Sequence, residues 1–130
     1  MTPVKNVLIV DDDPDDVDFL CKAIYQVDET IKCTDTWNGE EALKLLQGEH
    51  ALLPDLIFAD LNMPRVNGKE FLQRLRKDVR FQHVPVVIYS TSAYRADPQE
   101  LQAMGAKRFF IKPSYLKEWN SIVRDIILQG

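Results

Sequence analysis

Leu56-Ile57-Phe58-Ala59, closed by Asp60, is the segment on which the reading of this chain turns. Four consecutive apolar residues without alternation suit a short central strand of a parallel sheet, covered on both faces. Three other runs have the same form. Val7-Leu8-Ile9-Val10 ends at Asp11 and Asp12, Val86-Val87-Ile88-Tyr89 ends at Ser90, and Phe109-Phe110-Ile111 ends at Lys112. Carboxyl ends of parallel strands gather along one rim, so carboxylates, a hydroxyl and an ammonium are expected to meet in one crevice. That set of groups suits Mg²⁺ and a phosphoryl group.

Between these runs the apolar period switches from two to 3.6, which indicates alternating strands and helices. The first strand, Val4 to Val10, leads to a helix with Val17, Leu20, Cys21, Ile24 and Tyr25 on one face; Asp13 before Pro14 reads as its N-cap. A second strand, Ile31 to Trp37, rests only on Ile31, Cys33 and Trp37. Asn38-Gly39 then opens a helix carrying Ala42, Leu43 and Leu46, which Gly48 closes. After Asp60, Pro64 and Asn67-Gly68 mark a turn before a helix that points Phe71, Leu72, Leu75 and Val79 inward. Pro85 opens the fourth strand. A short fourth helix, Pro98 to Met104, offers only Leu101 and Met104 and stops at Gly105; the last strand spans Arg108 to Ile111, and the final helix aligns Leu116, Trp119, Ile122, Val123, Ile126 and Ile127. Five such pairs predict one α/β domain over residues 1–130. The expected architecture is flavodoxin-like and doubly wound, a five-stranded parallel sheet in order 2-1-3-4-5 with five helices, its crevice at the reversal of strand order.

Composition narrows the function. The chain has 130 residues, 45% hydrophobic and 28% charged, with a net charge of −4. Its sixteen Lys and Arg are scattered rather than clustered, which argues against a nucleic-acid surface. With no apolar run of membrane-spanning length and no cationic leader, the chain reads as cytoplasmic and unattached to membranes. Cys21 and Cys33 form no metal-binding spacing and read as small, reduced, near-core residues. His50 and His83 fall in predicted loops and read as solvated.

Val10-Asp11-Asp12, then Asp60-Leu61-Asn62-Met63-Pro64 with Gly68, then Ser90, then Lys112-Pro113, together resemble the bacterial response-regulator receiver domain. The resemblance covers nearly the whole chain. It implies that Asp60 is the phosphoacceptor and that Mg²⁺ is held by Asp11, Asp12, Asp60 and the backbone carbonyl of Asn62. Lys112 would pair with the Asp60 carboxylate and later with a phosphoryl oxygen, and its bond to Pro113 is a candidate cis peptide. Ser90 and Phe109 match the switch pair that rearranges on phosphorylation. The implied partners are a sensor histidine kinase or phosphotransfer protein, and a downstream protein read through the face of the fourth helix, fifth strand and fifth helix, where Tyr94, Arg95, Lys107 and Arg108 lie. The run Asp-Asp-Asp-Pro-Asp-Asp and the segment Ser90-Thr91-Ser92 also resemble small regulators paired with phytochrome-type kinases.

Some readings stay open on sequence alone. Asp13, Asp15 and Asp16 read as solvated acids at a helix N-terminus, and Thr91 or Phe110 would replace Ser90 or Phe109 if the alignment slipped by one. Asn67 stands where many members of the family carry Asp, and the resemblance implies that Asn62 and Ser92 occupy positions that tune water access to an acyl phosphate. The last helix is either wholly core or partly a homodimer seam. No output domain follows, so a stand-alone regulator is the leading expectation: a signalling switch, and an enzyme only toward its own phosphorylation and dephosphorylation. The alternatives are a receiver-like binding module that works without phosphorylation, and an aspartyl-nucleophile phosphatase of the haloacid dehalogenase type. That last family wants Asp two residues after the nucleophile, where this chain has Asn62.

Overall fold

The computed structural model describes residues 4–48, 53–91 and 97–129. In chain order the elements are β1 (Asn6–Val10), α1 (Pro14–Val27), β2 (Lys32–Thr36), α2 (Gly39–Gln47), β3 (Leu56–Asp60) and α3 (Gly68–Lys77). A 3₁₀ turn (Val79–Phe81) then precedes β4 (Val86–Ser90), α4 (Pro98–Ala103), β5 (Arg108–Ile111) and α5 (Leu116–Gln129). The strands form one parallel sheet in order β2-β1-β3-β4-β5. All five residues of β3 and of β4 are buried, as uninterrupted apolar runs in central strands require.

Side-chain alternation along the strands sorts the core into two clusters. On one face Val7, Ile9, Phe58, Val87, Tyr89 and Phe110 pack under Leu20 and Ile24 of α1 and Trp119, Val123 and Ile126 of α5. On the other face Leu8, Val10, Ile57, Ala59 and Ile88 meet α2, α3 and α4 through residues such as Leu43, Phe71, Leu72 and Leu101. Trp119 is 1% exposed and meets Tyr89 and Phe110 edge-on, so the last helix buries its aromatic face as core.

Local chemistry explains where the helices begin. Asp13, Asn38, Asn67 and Asp97 each accept backbone N–H bonds from the first turn of α1, α2, α3 and α4, satisfying donors that a helix leaves unpaired. Asn67 therefore caps α3 with its side-chain oxygen, as Asp would. At Gly68 an added Cβ would fall 2.4 Å from the Asp60 carbonyl oxygen, so the start of α3 sits directly against the end of β3.

Several expected inward residues lie outside the core. Tyr25, Leu116 and Trp37 are exposed, because α1 and α5 bury narrower stripes than the periodicity suggested and β2 stops at Thr36. Val79 is exposed because the 3₁₀ turn after α3 breaks the 3.6-residue phase, and Phe81 takes the buried place. Cys21 and Cys33 are free and half-buried. There is no cis peptide bond among the described residues, so Lys112–Pro113 is trans. No helix among them is long and apolar enough to cross a membrane.

Candidate functional site

The rim at the carboxyl ends of the strands is tied together by backbone bonds that run past the strands. The Asp11 N–H donates to the Thr36 carbonyl at 3.0 Å, Leu61 N–H to the Tyr89 carbonyl at 2.8 Å, and Lys112 N–H to the Ser90 carbonyl at 2.8 Å. These bonds hold the segments that follow β1, β3 and β5 against the ends of β2 and β4. The polar residues that the sequence placed at four strand ends thus stand side by side.

Three carboxylates converge there. Asp11, Asp12 and Asp60 each offer an oxygen, and the three lie within 4.8 Å of one another. Asp11 is 1% and Asp60 4% exposed, whereas Asp12 faces solvent. Each buried carboxylate is oriented by the backbone two residues on, since Asp13 N–H donates to Asp11 Oδ1 at 2.9 Å and Asn62 N–H to Asp60 Oδ1 at 3.1 Å. Tyr89 Oη donates to the other Asp11 oxygen at 2.7 Å. Burial nevertheless dominates at Asp11 and, helped by the Asp60 charge, pushes its pKa up to about 7 against the hydrogen bonds that favour the anion.

Among the described residues, one cation serves the cluster. Lys112 Nζ donates to Asp60 Oδ2 at 3.0 Å and to Asp16 Oδ2 at 2.5 Å, and lies 3.6 Å from Asp11 Oδ2. It also sits 5.2 Å from the centre of the Tyr89 ring. Its side chain is only 8% exposed. Burial alone would lower the Lys112 pKa, but the bond to Asp16 and the charges of Asp11 and Asp60 outweigh it and raise it. Burial is also the first cause that raises the Asp16 pKa, with Lys112 opposing.

Four acids around one ammonium leave surplus negative charge. At an effective dielectric near 20, two like charges about 4 Å apart repel by about 4 kcal/mol, more than the roughly 1 kcal/mol net of a typical hydrogen bond. A hard divalent cation with oxygen ligands matches both the charge surplus and the donor set. The residues present therefore fit such an ion.

Ser90 is buried and accepts a 3.0 Å bond from the Asn62 side-chain amide. Phe109 is half-buried and packs on the same face of the sheet as Ile88, toward α4, while Phe110 lies on the opposite face, stacked on Tyr89. Ser92, Tyr94, Arg95 and His50 lie outside the described residues. Two contacts were not foreseen from the sequence. Asp16, expected to be a solvated helix-start acid, is half-buried against Lys112, and Tyr89, expected only as core, donates to Asp11. The spacing of Asp16 three residues after its helix cap carries a faint signal, because it turns the side chain back over the strand ends.

The model of the response regulator receiver domain family matches residues 7–124. Response regulator Rre1 of Synechocystis sp. is 34% identical over 122 residues, which are 94% of this chain and 51% of that protein. This chain thus spans about half the length of that relative. The solved structure of the phosphorylated cyanobacterial phytochrome response regulator RcpA matches with a TM-score of 0.85 at 28% identity, covering 95% of this chain and 91% of that one. The Mn²⁺-bound form of response regulator Rcp1 matches with a TM-score of 0.83 at 25% identity, covering 94% and 91%.

Proposed function

We propose that this chain, which belongs to the response regulator receiver family, is a phosphorylation switch that accepts a phosphoryl group on Asp60 from a histidine kinase or phosphotransfer protein. The observation that carries the reading is the meeting of Asp60 with Asp11, Asp12 and Lys112 at one rim. An Asp60 carboxylate oxygen forms the new bond to phosphorus as the phosphorus–nitrogen bond of a phosphohistidine breaks. The bonding pair stays on the imidazole nitrogen, which recovers its proton from solvent. A carboxylate nucleophile attacks through an oxygen lone pair, so this step calls on no side-chain general base.

Asp11, Asp12, Asp60 and the Asn62 backbone carbonyl would hold Mg²⁺, Asp11 through a coordinated water. When bound, the ion neutralises charge on the carboxylates and on the phosphoryl oxygens. Lys112 supplies the second positive charge, moving from the acceptor carboxylate to a phosphoryl oxygen, a task suited to a compact ammonium. Ser90 would exchange its Asn62 partner for the phosphoryl group. Phe109, on the same face of the sheet, would then turn inward, shifting an equilibrium between two packings.

The output surface would be α4, β5 and α5. Within it α4 is six residues long and buries only Leu101, with Met104 half-buried beside it, so it is the helix least bound to the core. Lys107 and Arg108 lie at its edge.

Incubation with Mg²⁺ and acetyl phosphate, followed by intact mass measurement, tests the assignment. Wild type is expected to gain one phosphoryl group and Asp60→Asn none. Label retained by Asp60→Asn would remove Asp60 as acceptor, and a wild type that stays unlabelled by any phosphodonor would favour a binding module that works without phosphorylation.

A further inference from the structure

Next to the acid crevice, where α1 approaches the end of β2, lies an open cleft of about 360 Å³ lined by Asp11, Asp12, Pro14, Val17, Asp35 and Trp37. Trp37 is 73% exposed. Nothing in the local fold calls for an indole there: β2 has ended at Thr36, and the following Asn38 already caps α2. An amphipathic aromatic side chain left open beside a reactive rim is the kind of anchor that protein interfaces use.

We infer that this cleft is a docking seat for the protein that delivers the phosphoryl group, receiving an apolar side chain that projects beside its phosphohistidine. The inference rests on the reading of Asp60 as acceptor. Continuity selects the occupant first: Asp11 and Asp12 belong both to the acid crevice and to the cleft, so whatever fills the cleft stands beside the path to Asp60. Charge selects it next. Asp12 and Asp35 make the rim acidic, and a second copy docked about a two-fold axis would bring the same acidic patch against itself. A donor surface that flanks its apolar side chain with Lys or Arg is complementary instead. A small phosphodonor engages the acid crevice alone and gains nothing from Trp37.

The test compares two donors on wild type, Trp37→Ala and Asp35→Lys, with Mg²⁺ present throughout. One donor is acetyl phosphate; the other is a cyanobacterial phytochrome histidine kinase autophosphorylated with ATP. Labelling by acetyl phosphate is expected to be the same in all three proteins, while kcat/KM for transfer from the kinase falls about tenfold or more in Trp37→Ala, as loss of an interface tryptophan does. Asp35→Lys should slow the same transfer and reverse its salt dependence. Equal losses with both donors, or undiminished transfer from the kinase to Trp37→Ala, overturn the seat. So does a wild type that acetyl phosphate labels and the kinase does not. Absence of label on Asp60 from either donor overturns the acceptor reading itself.

Discussion

Asp16 holds the ammonium that Asp60, the proposed acceptor, also uses. Lys112 is closer to Asp16, at 2.5 Å, than to Asp60, at 3.0 Å, so the two carboxylates compete for one positive charge. Replacing Asp16 by Asn weakens the competitor while keeping its size. The expected result is a several-fold higher phosphorylated fraction at limiting acetyl phosphate, read by intact mass; an unchanged or lower fraction would contradict the competition. Titration gives a second prediction at this scale. Burial raises the pKa of Asp11 to about 7 and also raises that of Asp16, so between the unfolded carboxylate value near 4 and the folded values the native state binds more protons than the unfolded chain. Stability from these groups is therefore present at acid pH and lost as pH rises through the folded pKa, and the raised Lys112 pKa moves its own loss to strongly alkaline pH. The metal-free protein is expected to melt several degrees lower at about pH 8 than at about pH 5, and Asp11→Asn to flatten that slope. What the sequence could not carry was pairing across the sheet. Asp11 and Tyr89 are 78 positions apart, and Asp16 and Lys112 are 96 apart; each pair depends on how neighbouring elements are set side by side, which no local pattern records.

At the scale of elements, the close seating of α3 against β3 links packing to the site. An added Cβ at Gly68 would meet the Asp60 carbonyl oxygen at 2.4 Å and the Leu61 Cα at 2.8 Å. Both are backbone atoms that cannot swing aside. Gly68→Ala is expected to cost about 1–3 kcal/mol by overpacking and to slow acetyl phosphate labelling by displacing Asp60; a variant with normal melting and normal labelling would show that the contact relaxes freely. On the opposite face, Trp119→Ala is expected to cost about 3–5 kcal/mol, measured by urea denaturation, because the indole fills the space between α5, Tyr89 and Phe110. β1, β3, β4 and β5 were readable because each is a short apolar run ended by a polar residue. β2 was the hardest to read for a physical reason. As an edge strand it buries none of its five residues, so hydrophobicity marks it weakly.

For the whole molecule, the proposed cation binding is coupled to folding. An ion that binds the assembled acid crevice but not the unfolded chain adds about 2.7 kcal/mol at roughly a hundred times its Kd, or roughly a 10 °C rise in Tm for a chain of this size. Calorimetry at increasing Mg²⁺ is expected to show such a rise, with Asp12→Ala removing most of it; a melting curve indifferent to millimolar Mg²⁺ would separate the acids from any metal role. The strand order was legible as a whole, because five strand-helix units with short right-handed connections leave few arrangements, and the order 2-1-3-4-5 creates the crevice at the β1/β3 reversal. The two tryptophans divide along the same line, one carried by α5 and enclosed against the sheet and α1, the other bare at the mouth of the cleft. Fluorescence can exploit that division: emission from Trp119 would be blue-shifted and shielded from acrylamide until the protein unfolds, whereas Trp37 would be red-shifted and readily quenched, so the chain carries its own paired reporters for melting and for arrivals at its rim.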